Sequence, residues 1–244
     1  MVLKVLGSGS SGNCYILENG KEALIIEAGI SFAEVKKALD FNVKKICGVI
    51  LSHEHMDHAR YMKDYLKAGI PVYSAFQTQT ALESITGELT KAIVPLKKIQ
   101  IGSFKVIPFN VPHDAEIECY GYLIEHEEMG KMLFLTDLEY CRYNFSKQNV
   151  NHILVEANYS ESSMDNEAVN LEHVLKGHAS LQTALNFIST NDNPALRNVV
   201  LIHLSDKNGN PVEFLQKTKE TVKYGADCYI AEKGLEVKLD LCPF

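Results

Sequence analysis

The stretch HEHMDH, residues 53–58, decides how this sequence is interpreted. It places three imidazoles and two carboxylates within six positions, directly after an apolar segment that reads as a strand. Neutral imidazole and carboxylate are the usual ligands of catalytic zinc and of related cations. Side chains alternate along an extended segment, so His53 and His55 share one face, whereas Asp57 and His58 follow where the chain turns into a helix. The hexapeptide therefore predicts ligands for two adjacent metal ions.

Four more candidate donors stand at junctions between regular elements and loops farther along the chain. Single histidines are usually structural or surface residues, and that is the interpretation we give to His126, His152 and His173. Donors that recur at strand ends are harder to explain in that way, because a strand end is where a rigid scaffold can hold a site and still admit a substrate. These donors are His113 in NVPHDAE, Asp137 in LFLTDLE, His178 in KGHASLQ and His203 in VVLIHLS.

Composition narrows the class of protein. The 244 residues carry a net charge of −7, which argues against a protein that coats nucleic acid, and 46% apolar residues suffice for a sizeable core. No apolar run is long enough to span a membrane, and the first residues do not resemble a secretion signal. The six cysteines are scattered and form no Cys-x-x-Cys pair, as in reduced proteins. We expect one cytoplasmic domain over residues 1–244.

The loop Gly7-Ser8-Gly9-Ser10-Ser11-Gly12 matches the G-x-G-x-x-G pattern, and Glu27 follows it as an acid at the end of another strand. A dinucleotide site requires a helix that begins at the third glycine. The residues after Gly12 instead form an apolar strand that leads into Asn19-Gly20, which is a hairpin signal. We therefore reject a nicotinamide or flavin enzyme. The loop is either a structural turn or a cradle whose N–H groups approach an anion.

Short apolar strands dominate the first half of the chain, and strands alternate with helices later. Helical spacing covers 60–68, 77–85, 167–176, 181–189 and 211–224, and the segment CYIAEKGLEVKL reads as a closing hairpin. This order predicts an α/β protein with two β-sheets packed face to face and helices outside.

The hexapeptide resembles the H-x-H-x-D-H signature of the metallo-β-lactamase fold superfamily, whose fold is an αββα sandwich of two mixed sheets with its site along one edge. The stretches LGSGSSGNCYIL, HDAEIECYGYLI, TDLEY, VEANY, GHAS and IHLSDKNGNP are similar to the YycJ-like (WalJ) single-domain nuclease branch, described as exonucleases acting on DNA.

The resemblance implies a role for each donor. His53, His55 and His113 would hold one metal, Asp57, His58 and His203 the second, and Asp137 would bridge the two. His178 matches a histidine of related tRNA-processing nucleases that lies beside the scissile phosphate and binds no metal. The sequence departs from the family where Asp-x-Gly becomes Glu27-Ala28-Gly29, and we expect looser support behind the hexapeptide there.

Aspartate at 137 rather than cysteine argues against β-lactam hydrolysis, and histidine at 55 rather than glutamate argues against di-iron oxygen chemistry. The remaining expectation is a phosphodiesterase with two divalent ions, Zn²⁺ or Mn²⁺, that acts on DNA or RNA through a metal-bridging hydroxide. His178 is the predicted general acid, Asp57 is predicted to be catalytic as well as a ligand, and the substrate contacts are Ser10, Ser11, Asn13 and Asn158.

Alternatives remain open at this point. The same site could act on a small cyclic nucleotide, or on a thioester as in the glyoxalase II branch, and the third alternative is a non-enzymatic binding subunit. The family resemblance is also compatible with a homodimer and gives no reason to expect a membrane partner.

Overall fold

A computed structural model describes residues 1–82, 89–160, 177–205 and 208–241 of the chain. Within these residues, fourteen strands form two seven-stranded mixed sheets. The first sheet has the order β14-β1-β2-β3-β4-β5-β6, with the strands β1 Val2–Gly7, β2 Cys14–Glu18, β3 Ala23–Ile26, β4 Ile46–Ile50, β5 Val72–Ser74, β6 Thr90–Ala92 and β14 Glu236–Lys238. The second has the order β13-β12-β11-β10-β9-β8-β7, with β7 Ile99–Ile101, β8 Phe104–Val111, β9 Cys119–His126, β10 Gly130–Leu135, β11 His152–Glu156, β12 Asn198–Ile202 and β13 Asp227–Ile230.

Six α-helices lie among the described residues: α1 Phe32–Ala38, α2 Met56–Ala59, α3 Met62–Lys67, α4 Phe76–Ala81, α5 Leu181–Asn191 and α6 Pro211–Thr221. Alternation along each strand sends its side chains to two different layers. In β3, Leu24 and Ile26 pack between the sheets, whereas Ile25 packs against the α1–α3 side with Val35 and Tyr65. The outer face of the second sheet packs in the same way against α5 and α6. The result is the expected αββα sandwich.

Local signals placed several elements correctly. Ser180 caps α5, since its hydroxyl accepts a hydrogen bond from the Thr183 N–H, and Asn210 caps α6 in the same manner. The predicted hairpin joins β2 to β3, with the Asn19 side chain accepting hydrogen bonds from the N–H groups of the turn. The helix predicted over 60–68 corresponds to α3, and a separate short helix, α2, includes the second half of the hexapeptide. The helix predicted over 167–176 lies outside the described residues.

The predicted closing hairpin is wrong. β13 pairs in parallel with β12 in the second sheet, and β14 pairs antiparallel with β1 in the first. Both sheets end in an open edge beside this segment, and completing two edges satisfies more backbone groups than a local hairpin would. The chain crosses between the sheets at Gly234, whose N–H donates to the Val5 carbonyl. This segment therefore joins the two sheets.

Among the described residues, no helix is long and apolar enough to cross a membrane. The carboxyl ends of β3, β4, β10, β11 and β12 each lead directly into a segment that carries a buried polar or charged residue. These segments meet along one edge of the sandwich.

Candidate metal centre

The seven donors predicted to bind metal come together in two groups that share one residue. His53, His55, His113 and Asp137 offer ligand atoms that all lie within 4.8 Å of one another. A second group with the same spread consists of Asp57, His58, Asp137 and His203. Each group could hold one ion, and a third set with the same spread, which overlaps the second, consists of Asp137, Glu156, His178 and His203.

Asp137 stands between the two groups. Its Oδ2 lies 3.6 Å from His53 Nε2 on one side and 3.3 Å from His58 Nε2 on the other. The second group closes through Asp57, whose Oδ2 is 3.2 Å from His58 Nε2 and 3.3 Å from His203 Nε2. A carboxylate in this position is suited to bridge two cations.

The orientation of the imidazoles is set by the atoms behind them. His113 Nδ1 donates to the Gly177 carbonyl at 2.7 Å, and His203 Nδ1 lies 3.0 Å from Glu156 Oε1. Since a carbonyl or carboxylate oxygen can only accept, Nδ1 carries a proton in both rings, and each Nε2 faces the centre, where a cation can bind it in place of a proton. His55 has the opposite orientation, with Nδ1 3.4 Å from His113 Nε2. The outer hydrogen bonds thus select the nitrogen that each ring offers.

The residues present fit a divalent cation by two observations. The Nε2 atom of His53 is fully buried and has no hydrogen-bond partner among the described residues, which is costly unless another group binds there. Burial raises the pKa of Asp137, but the neighbouring His203 and His58 outweigh it and hold the pKa well below its usual range. Burial lowers the pKa of His203, whereas Asp137, Asp57 and Glu156 raise it to about 10. The carboxylates of this pocket therefore attract positive charge.

Backbone hydrogen bonds fix the hexapeptide to the neighbouring segments. The Asn13 N–H donates to the Asp57 carbonyl at 2.7 Å, and the Ala28 N–H donates to the His58 carbonyl at 2.6 Å. Gly29 lies so close that a Cβ atom there would be 1.7 Å from the Asp57 carbonyl oxygen. Only glycine fits at this position.

Glu27 supports the hexapeptide although the family pattern has aspartate. Its Oε1 accepts a hydrogen bond from the Ser52 N–H at 3.1 Å, and its Oε2 lies 3.4 Å from His58 Nδ1. Both carboxylate contacts are made in a fully buried position. The longer side chain of Glu27 thus contacts both Ser52 and His58, against the expectation that support behind the hexapeptide is looser.

Three residues at this edge adopt the left-handed backbone conformation, which is uncommon outside glycine. They are Glu27 with φ 67°, Asp137 with φ 47° and His203 with φ 53°, and each directly follows or closely follows the end of a strand. Such conformations cost free energy and persist where the surroundings enforce them. The backbone is therefore strained where it turns these side chains into the centre.

Glu156 is a site residue that the sequence analysis missed. It is fully buried at the end of β11, and its Oε2 accepts hydrogen bonds from the Leu138 and Ala179 N–H groups. Its Oε1 lies 2.7 Å from His178 Nδ1 and also binds His203. The available signal was a carboxylate that ends an apolar strand, as Asp137 does.

His178 lies beside the centre. Its ring stacks on that of His203 with centroids 5.4 Å apart, and 13% of its side chain is exposed. Burial lowers the pKa of His178, but the Glu156 carboxylate outweighs burial and raises it. A protonated imidazole at the edge of the centre can give a proton to a leaving group.

The four predicted substrate contacts fall into two pairs. Ser10 and Ser11 are exposed at the tip of the glycine-rich loop. Asn13 and Asn158 are buried instead, with the Asn13 amide 3.2 Å from Asp57 Oδ2 and the Asn158 amide donating to the His203 carbonyl. The two asparagines therefore brace the loops that carry ligands.

The glycine-rich loop continues into β2 rather than into the helix that a dinucleotide site requires, as the sequence predicts. Its Ser8 hydroxyl accepts a hydrogen bond from the His203 N–H at 2.9 Å and pairs with the Tyr15 hydroxyl. A structural role in holding His203 is thus visible.

The remaining histidines lie elsewhere. His152 is buried and bonded to the Met129 and Leu239 carbonyls, and His126 lies 3.2 Å from Glu22. Neither belongs to any of the donor groups at this edge, in agreement with a structural interpretation. His173 lies outside the described residues.

Comparison with known proteins adds to this geometry. A sequence profile of the family described as "Beta-lactamase superfamily domain" matches residues 23–204. The Exodeoxyribonuclease YycJ of Bacillus anthracis is 30% identical over 145 residues, which cover 56% of this chain and 54% of the relative. The Exodeoxyribonuclease WalJ of Streptococcus pneumoniae is 28% identical over 167 residues, which cover 64% of this chain and 61% of the relative. The chain thus spans less than two thirds of the length of these relatives.

Solved structures share the fold at low sequence identity. The metallo-β-lactamase fold protein YhfI from Bacillus subtilis has a TM-score of 0.76 at 19% identity, with 97% of this chain and 99% of that chain covered. The short form of human tRNase Z has a TM-score of 0.68 at 16% identity, with 98% and 99% covered. At these identities the likeness concerns the fold alone.

Proposed function

We propose that this chain, which belongs to the metallo-β-lactamase superfamily, is a two-metal phosphodiesterase that removes nucleotides from the ends of DNA. The observation that carries the proposal is the position of Asp137 between two donor groups. Paired cations suit phosphodiesters because both can neutralise charge on the phosphoryl oxygens during in-line displacement. The relatives named exodeoxyribonuclease support DNA as the substrate.

The chain would hold the first ion through His53, His55 and His113 and the second through Asp57, His58 and His203, with Asp137 between them. Bound there, two divalent cations would polarise the phosphate and lower the pKa of a water molecule. Zn²⁺ and Mn²⁺ both accept this mixture of imidazole and carboxylate.

The side chains contribute the remaining steps. His178, protonated with the help of Glu156, would donate a proton to the departing sugar oxygen. Glu156 fixes the ring of His178 while its second oxygen is anchored by two backbone N–H groups, so the donor cannot rotate away. Exposed Ser10 and Ser11 lie on the loop that binds His203, where they would contact the substrate.

The test is to strip the full chain of metal, reload it separately with Zn²⁺ and Mn²⁺, and offer it linear single-stranded DNA, linear duplex DNA, RNA and a cyclic nucleotide. Covalently closed circular DNA of the same sequence is the control for end dependence. We expect mononucleotides from linear DNA and none from the closed circle. Hydrolysis of the cyclic nucleotide alone, or of none of these compounds with either ion, overturns the proposal.

A further inference from the structure

An open groove of about 310 Å³ lies between two segments that each begin at the candidate centre. One wall is the segment that follows Asp137, with Tyr140 and Tyr143, and the other is a face of α5. Thr183, Phe187 and Thr190 lie at helical spacings of four and seven residues, so they line one face of α5. At 1.5 Å per residue this face extends about 10 Å along the helix.

Both walls are continuous with the segments that build the site. The Leu138 N–H donates to Glu156, and the Glu139 N–H donates to the carbonyl of Pro112, the residue before His113. Tyr140 follows directly. On the other wall, α5 begins three residues after His178. Both walls therefore begin within five residues of a candidate site residue, Tyr140 after Asp137 and Thr183 after His178.

The chemistry of the groove favours a flat aromatic group with polar edges. Tyr140 is 52% exposed, Tyr143 is half-buried in the same wall, and Phe187 lies largely buried at the base of the groove. None of the described residues that line it is acidic, in a chain whose net charge is −7. Arg142, between two lining residues, is exposed and can attract a phosphate. Aromatic rings combined with a nearby cation are how proteins bind single-stranded nucleic acid without regard to sequence.

We propose that this groove binds an unpaired nucleobase of the DNA strand whose phosphate lies at the metal centre, with Tyr140 as the stacking platform. The inference rests on the proposed function and narrows its substrate to a strand whose terminal bases are unpaired. A base inside a duplex has no free face to offer Tyr140, so single-stranded ends bind more tightly than blunt duplex ends.

The test compares two short single strands of equal length and charge, both with nuclease-resistant phosphorothioate linkages. One carries normal bases and the other is abasic throughout. Fluorescence anisotropy gives their dissociation constants for the metal-loaded full chain. We expect the wild type to bind the strand with bases at least about fivefold more tightly than the abasic strand, since stacking is worth ~1–3 kcal/mol per base.

Tyr140→Ala should lose this preference, and Tyr140→Phe should retain it because the ring remains. Tyr224→Ala is the matched control, since Tyr224 is 55% exposed, does not line the groove and should keep the wild-type preference. Thermal unfolding checks that the variants are folded.

A retained preference in Tyr140→Ala overturns the inference. Equal binding of both strands by a wild type that still degrades DNA also overturns it and leaves the proposed function standing. If the wild type neither binds nor degrades DNA, the proposed function fails as well.

Discussion

The Glu156 carboxylate holds His178 by a hydrogen bond of 2.7 Å, and the same oxygen lies 3.0 Å from His203. His203 also lies 3.3 Å from Asp57 Oδ2 and 3.2 Å from Asp137 Oδ1, so it faces both bridging and terminal carboxylates of the donor groups. We interpret His203 as a ligand and His178 as a proton donor, and this difference can be measured.

His178→Ala should keep its metal and lose about 10²–10⁴-fold in turnover, because the leaving oxygen no longer receives a proton. His203→Ala should lose metal as well as activity. Metal content by mass spectrometry, together with the cleavage rate at saturating substrate, separates the two variants. An empty centre in His178→Ala would contradict its assignment as a non-ligand.

Glu27→Gln should weaken metal binding about 10- to 100-fold, as is typical when the group behind a ligating histidine is removed. The amide keeps the size of the side chain but removes the negative charge beside His58. Competition with a chelator gives the affinity. Glu22→Gln is the matched control, since Glu22 pairs with His126 away from the centre and its replacement should leave the affinity unchanged. Equal affinities in wild type and Glu27→Gln would exclude a role for the charge.

Removing metal should lower the melting temperature. The centre buries the carboxylates of Glu27, Asp137 and Glu156 at 0–2% exposure, and cations offset their repulsion. A free metal concentration of a hundred times the dissociation constant adds ~2.7 kcal/mol to the free energy of unfolding. For a chain of this size this raises the melting temperature by about 5–10 °C. Thermal unfolding with a chelator and after reloading with Zn²⁺ or Mn²⁺ measures the shift. The melting temperature of Asp137→Asn should change far less on addition of metal. An identical melting temperature of the wild type with and without metal would contradict the expectation.

His152 should make the protein less stable in mild acid. Burial lowers its pKa to about 4, and Asn198 Nδ2 lies 3.0 Å from its Nδ1, which must be unprotonated to accept that hydrogen bond. The unfolded chain, with a histidine pKa near ~6.5, therefore binds a proton that the folded chain refuses. The stability that this pKa difference provides is fully present above a pH of ~6.5 and is lost as the pH falls towards about 4.

The measurement is the free energy of unfolding in urea for wild type and His152→Gln. The advantage of wild type over the variant should shrink by about 2–3 kcal/mol between about pH 7.5 and about pH 4.5. A difference that does not change with pH would mean that His152 takes up a proton in the folded protein as readily as in the unfolded chain, which contradicts the lowered pKa.

The clustering of the candidate metal donors could be predicted from the sequence because they stand at the ends of apolar strands, and strand ends are visible in a single chain. His113 and Asp137 are examples, each two residues beyond a strand of the second sheet. The resemblance to a known family then assigned them to two ions. This information is local, or is carried by a motif.

What could not be predicted depends on distant partners. Gly177 and Glu156 orient His113 and His178 from other segments, and a backbone carbonyl leaves no mark in the sequence. The predicted pairing of β13 with β14 was wrong for a related reason, since apolar residues around a glycine are equally compatible with a local hairpin. Only the open edges of β12 and β1 decided where those strands pair.

The pairing of β14 with β1 also constrains the order in which the first sheet can form during synthesis. Val2 is joined to Lys238, so the first strand leaves the ribosome long before its outer neighbour exists. Every predicted ligand, from His53 to His203, is synthesised in the interval. Contacts between residues this distant in sequence require a long loop to close, which costs entropy before the contact adds any stability. They therefore slow folding. The first sheet therefore gains β14 only after all of these predicted ligands have been synthesised.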